Sequence, residues 1–173
     1  MELALLTGEL GCRVEREPGG FRGGDGDRTE FCGGASPPAS DLHTRGHLAA
    51  HLPGTAFHPY DPEQPESVAV TIGGTTYPFR KGDVEYALVD RFTPEESGAP
   101  VFVVAGRSSL TNLTATRFLR REYGRMAREP ASVERFCLLV RVSGIAAYAH
   151  HRAELARDVT ADAFGTDGDR RGR

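Results

Sequence analysis

The sequence predicts an α/β domain, a central mixed sheet with helices on its faces and a β-hairpin insertion. Three observations carry this. Val101-Phe102-Val103-Val104 and Phe136–Val142 are continuously apolar, the pattern of strands covered on both faces. Between them Ala115, Leu119, Tyr123 and Met126 recur at helical spacing, which predicts a long helix from Leu110 to near Arg128. Upstream, Ser67–Ile72 and Thr75–Phe79 flank Gly73-Gly74, a hairpin signal because both central residues of so tight a turn need positive φ.

The remaining elements follow in order. Thr29–Cys32 reads as a short strand that stops at Gly33-Gly34, and Ser36-Pro37-Pro38-Ala39-Ser40-Asp41 as a turn leading to helix N-cap residues. Leu42–Leu52 is a predicted helix with Leu42, Leu48, Ala49 and Leu52 on one side, ended by Pro53-Gly54. Ala56–Tyr60 reads as a short strand, and Pro59, Pro62 and Pro65 as a loop. Tyr86–Phe92 and Pro100–Ala105 are strands, Gly106 ends the latter, Pro130 ends the long helix, and Tyr148–Val159, rich in Ala and charge, reads as a last helix. The expected order is β-α-β-hairpin-β-β-α-β-α, with sheet and helices in layers.

Composition fits one domain. Of 173 residues 39% are apolar and 8% aromatic, and Gly (21) and Pro (11) are abundant. Much of the glycine lies in the two ends, residues 1–28, read as a flexible lead, and residues 165–173, read as a disordered tail, leaving 29–164 as the folded domain. No apolar run approaches the roughly 18 residues of a membrane span, and the first residues lack the basic start and apolar stretch of a signal peptide. A cytoplasmic location is the expectation. Cys12, Cys32 and Cys137 have neither zinc-motif spacing nor an even count, and Cys32 and Cys137 read as small buried hydrophobes.

The net charge of -3 argues against bulk attraction to polyanions. It conceals a basic segment: seven Arg against three Glu lie between Arg117 and Arg141. Arg117, Arg120, Arg121, Arg125 and Arg128 would face away from the helix's apolar stripe. Without an aromatic platform beside them they read as a solvated or salt-bridged face, nucleic acid being the less favoured partner and a protein partner the alternative.

The chemistry concentrates at two strand-to-helix turns, Phe31-Cys32-Gly33-Gly34-Ala35-Ser36 and Val104-Ala105-Gly106-Arg107-Ser108-Ser109. Glycine permits a tight backbone, a helix N-terminus offers N–H groups and a positive dipole end, serine adds hydroxyls, and Arg107 adds a fork suited to phosphate. If the two strands are parallel neighbours, both turns open on the carboxyl edge where open α/β sheets bind ligands. Gly33, Gly34, Ser36, Gly106, Arg107, Ser108 and Ser109 are therefore the expected ligand-binding residues. Neither turn is a GxGxxG or a P-loop, and good connectors alone would also use these residues.

The run Phe31-Cys32-Gly33-Gly34-Ala35-Ser36-Pro37-Pro38 resembles the opening of a poorly characterised Rossmann-like domain of actinobacterial and archaeal proteins, itself similar to the LOG/DprA-like superfamily. Glu85-Tyr86-Ala87-Leu88-Val89, Val101–Gly106 and a helix carrying Thr116-Arg117-Phe118-Leu119 resemble its second half, so the likeness spans roughly residues 30–142. It implies a Rossmann-like three-layer sandwich and a nucleotide-related sensing or conflict-associated role. The family's second turn carries a later Gly-Thr where this chain has Ser109-Leu110-Thr111, a departure that bears on catalysis more than on fold.

Other candidates are weaker. His43, His47 and His51 share a helix face by their spacing, read as solvent-facing opposite Leu42, Ala49 and Leu52. A metal there would need a carboxylate or another ligand from elsewhere, His58 being nearest in sequence, so no metal site is assigned. Asp83, Glu85 and Asp90 are possible acids near the turns, Ser36, Ser108, Ser109 and Cys32 possible nucleophiles, and no triad spacing links them. Glu95-Glu96 reads as a solvated loop pair, and His150-His151 as the start of the terminal helix.

The sequence thus predicts a regulatory module for a phosphate-bearing small ligand, a nucleotide derivative, at the two turns. The alternatives are an enzyme cleaving a nucleotide glycosidic or phosphate bond in the same crevice, and an interaction module using the Arg face. No cofactor is assigned.

Overall fold

A computed structural model describes residues 29–35, 42–64, 67–80, 82–126, 134–145 and 151–165. Ser36, Cys12, Arg128, His150, the proposed lead and the tail beyond Gly165 lie outside the described residues. The chain forms β1 (Glu30–Ala35), α1 (Leu42–His51), β2 (Thr55–His58), β3 (Ala69–Ile72), β4 (Thr75–Pro78), β5 (Val84–Phe92), β6 (Val101–Gly106), α2 (Ser109–Met126), β7 (Phe136–Ser143), β8 (Arg152–Asp158) and α3 (Thr160–Phe164).

The fold is α/β with a mixed sheet. Five strands run in the order β1-β6-β5-β7-β8, with β1 and β6 parallel and the other pairs antiparallel. The hairpin joins β2 in a separate three-stranded antiparallel sheet, β2-β3-β4, rather than extending the central one. Its turn is the expected one: Gly73 and Gly74 have φ of 54° and 81°, a geometry that residues with a Cβ rarely adopt.

Each face of the large sheet has its own apolar cluster. On one face, Ala115, Phe118 and Leu119 of α2 pack on Ala87, Val89, Phe102, Val104, Leu138, Val140 and Val142. On the other, Leu88, Phe92, Val101, Val103 and Leu139 meet Val70 and Ile72 of the small sheet, Leu52 after α1, and Ala163 and Phe164 of α3. All six residues of β6 are buried, as the unbroken apolar run predicts. Each fully buried aliphatic side chain stabilises by about 1.5–3 kcal/mol.

Three sequence expectations fail. The first strand does not stop at Gly33-Gly34; it continues to Ala35, because Gly33 and Gly34 stay in parallel register with Val104 and Ala105. The predicted helix over 148–159 is an edge strand, β8, followed by the short α3. Its Ala-Glu-Leu-Ala-Arg composition favours a helix locally, but pairing along β7 overrides propensity. Exposure of the charged side chains along β8 suits an edge, and Arg141 binds its register partner Glu154 across the pair at 2.7 Å.

The third concerns α1. Ala49 is exposed, whereas Thr44, His47, Leu48 and His51 are wholly or partly buried. The histidine face therefore turns inward rather than to solvent. The cause is nonlocal: the His47 and His51 rings pack on Phe92 of β5 at centroid distances of 5.8 and 4.6 Å.

Candidate functional site

The parallel pairing brings the carboxyl ends of β1 and β6 to one edge, where the second expected turn lies, while Gly33 and Gly34 of the first stay within β1. Ala35 lies opposite Gly106 in register, so β1 and β6 release their chains side by side at their carboxyl ends. Gly106 is there for packing: a Cβ on it would meet Thr111 Cγ2 and Asn112 Oδ1, each at 2.8 Å. A Cβ on Gly33 would meet nothing within 4 Å, so packing makes no such demand there.

Ser108 caps α2, its Oγ accepting the Thr111 N–H at 3.1 Å, and the Asn112 N–H goes to the Ser108 carbonyl at 3.0 Å. Intrahelical bonding leaves the first N–H groups, at Ser109 and Leu110, at the helix mouth. Glu85 of β5 reaches the same mouth, two residues beyond Ala87, the register partner of Gly106. Its Oε2 accepts the Ser108 hydroxyl at 2.9 Å and a very short bond from the Thr111 hydroxyl. A carboxylate at a helix N-terminus complements the dipole, by about 0.3–1 kcal/mol. Beside it the Arg107 guanidinium lies 5.7 Å from the centroid of the exposed Tyr60 ring, within cation–π range.

Of the acids weighed from sequence, Glu85 is therefore at the mouth. Asp83 is exposed on the turn leading into β5, its N–H bonded to the Arg80 carbonyl. Asp90 is elsewhere: it alternates onto the opposite face with Leu88 and Phe92 and is fully buried. Neither Asp90 oxygen has a conventional hydrogen-bond partner among the described residues. The Cys137 thiol, opposite it on β7, is a weak donor that only partly offsets burial, which pushes the carboxyl up to about 7. Burial likewise pushes the Cys137 thiol well above its ordinary range, with the Asp90 charge adding to it. Cys32 and Cys137 are both buried free cysteines, as expected.

A second polar cluster lies on β1 and α1. Glu30 and Cys32 alternate onto one face of β1, and His47 of α1 sits over them. Their ligand atoms all lie within 4.8 Å of one another, and His47 Nε2 is 3.3 Å from Glu30 Oε2. His58 is not part of the cluster; its Nε2 lies 2.7 Å from Thr71 Oγ1.

The Arg face of α2 is largely engaged. Glu122 pairs with Arg121 and Arg125, each at 3.0 Å, and Arg121 also donates to the Ala153 carbonyl. Arg117 and Arg121 line an open cleft of about 640 Å³ with Ser143, His151 and Arg152. His151 thus precedes an edge strand rather than opening a helix.

Sequence reasoning named the second turn and Glu85, gave Thr111 of that turn no role at the mouth, and missed Tyr60 and Glu30. The Glu30–Cys32 alternation was visible in the chain; what was not visible was that α1 places His47 above it. No protein-family model, curated protein or solved structure matches this chain. Among the described residues no helix is long and apolar enough to cross a membrane.

Proposed function

We propose that this domain is a regulatory or sensing module that binds a phosphate-bearing small ligand, a nucleotide derivative, at the carboxyl edge of β1 and β6. The observation that carries the reading is the parallel register of Ala35 with Gly106, which ends β1 and β6 side by side at one edge of the sheet. In this reading the ligand-binding residues are Gly33, Gly34 and Ser36 in the first segment, Ser36 lying outside the described residues, and Gly106, Arg107, Ser108 and Ser109 in the second. Arg107 takes phosphate, the α2 mouth supplies N–H donors, and the exposed Tyr60 ring offers a stacking face. Glu85 repels a phosphate placed directly on the cap, so its carboxylate is assigned to hydroxyl groups of the ligand, and the phosphate to Arg107. A doubly covered sheet with its parallel pair at this edge supports a Rossmann-like three-layer relationship. The buried free thiols support a reducing, cytoplasmic setting.

A thermal-shift screen with nucleotides, dinucleotides and cyclic nucleotides tests this. A ligand at 100 times its dissociation constant adds about 2.7 kcal/mol of stability. Arg107→Ala should abolish the shift. No shift with any ligand, or an equal shift in the variant, overturns the assignment.

The presence of Glu85 at the mouth favours one second reading, an enzyme acting on a glycosidic or phosphate bond with Glu85 as acid or base. Glu85→Gln would then retain ligand binding and lose turnover of any nucleotide that the wild type cleaves. Absence of cleavage by the wild type across the same screen removes this reading.

A further inference from the structure

We infer that Glu30, Cys32 and His47 form a zinc site, separate from the β1/β6 ligand edge. The three residues supply a carboxylate oxygen, a thiolate sulfur and an imidazole nitrogen, the donor types that bind Zn²⁺. Zinc bonds of about 2.0–2.3 Å place tetrahedral donors about 3.3–3.6 Å apart. The Glu30–His47 separation of 3.3 Å already meets this, and the full set, within 4.8 Å, needs the remaining donors to close by no more than about 1.5 Å.

The scaffold holds these donors firmly. Glu30 and Cys32 are two residues apart on a strand whose neighbours in register are Val101 and Val103, so both project to one face. His47 is set from the other side by α1, its ring edge-on to Phe92 at 5.8 Å. Cys32 is buried, while the Glu30 and His47 side chains are 21% and 14% exposed, so the cluster has an apolar floor and an opening on its polar side. Three protein ligands leave a fourth position for water or an exogenous donor, the arrangement of open rather than closed zinc sites. Binding releases the Cys32 thiol proton to solvent as the thiolate coordinates, with no change of oxidation state.

The full chain, stripped with chelator and titrated with Zn²⁺ alone, is the material for the test. Metal content after desalting should be about one zinc per chain in the wild type and in Cys137→Ser, and fall at least tenfold in Cys32→Ser and His47→Ala. Co²⁺ in place of zinc should give the near-ultraviolet thiolate-to-metal band in the wild type, and none in Cys32→Ser. Glu30→Gln, on the open side of the cluster, keeps the test decisive if a buried substitution unfolds the chain: it should weaken zinc binding at least tenfold with unchanged circular dichroism. Protection of Cys32, but not Cys137, from alkylation by added zinc supports the site independently. Retention of no zinc by folded wild-type protein, or equal retention by the wild type and Glu30→Gln, overturns it.

Discussion

Asp90 offers the sharpest test of the fold. It is fully buried between Val103 and Cys137 on the neighbouring strands, and burial lifts its carboxyl from 3.8 to about 7. The shift is about three units, and each unit is worth 1.36 kcal/mol, so the group carries about 4 kcal/mol of pH-dependent stability. The sign follows from which form the fold prefers. The folded state holds the proton more tightly than the unfolded chain, so this contribution is fully present below pH 3.8, declines as pH rises, and is gone above about 7. Asp90→Asn is nearly isosteric and does not titrate. Urea unfolding of both proteins at pH values from about 5 to 8 should show the variant gaining on the wild type by ~1.4 kcal/mol per unit up to about pH 7, then running parallel. Over that window the gain totals about 3 kcal/mol, some 6–12 °C in melting temperature for a chain of this size. The difference between the two profiles isolates Asp90 from every other titrating group. Parallel profiles over the whole range would refute the reasoning, because they would mean that the Asp90 proton is held no differently in the folded and unfolded states.

Other substitutions probe other parts of the structure. Cys137→Ala removes the weak donor that lowers the Asp90 carboxyl, so the break in the wild-type stability profile should move to higher pH in the same unfolding series. Gly106→Ala drives a methyl group against Thr111 and Asn112 and should cost about 1–3 kcal/mol by chemical denaturation, whereas Gly33→Ala meets open space and should cost less than half as much. Leu119→Ala, at a wholly buried position of α2, should cost about 2–5 kcal/mol and lower the melting temperature accordingly. Arg141→Ala breaks an exposed cross-strand pair with Glu154 and should leave the urea midpoint almost unchanged, with any difference shrinking further in high salt.

Much of the scaffold was legible because its signals are local. Val101–Val104 announces a strand covered twice, Gly73-Gly74 announces its own turn, and Ala115 and Leu119 announce the face of α2 that packs. What escaped was set by partners distant in the chain. Residues 152–158 have the composition of a helix and are a strand because β7 lies beside them. The second turn was readable as a helix mouth, yet the carboxylate that occupies it comes from Glu85, and only the β5–β6 register puts it there. The face of α1 was misjudged for the same reason: periodicity ranks Ala49 above His47 as a buried residue, but Phe92 takes the imidazole rings. The polar groups that matter share a direction. At His47, Glu85 and Asp90 a polar or ionisable group has been drawn toward the interior or into a turn, against the rule that polar residues face water. Desolvating such groups costs stability unless something is gained, and a sequence otherwise consistent with its fold concentrates such exceptions at functional or strained positions. These positions are therefore the places to mutate first, Asp90 above all, because Glu85 is bonded to the α2 cap and His47 packs on Phe92, whereas neither oxygen of buried Asp90 has a conventional hydrogen-bond partner among the described residues.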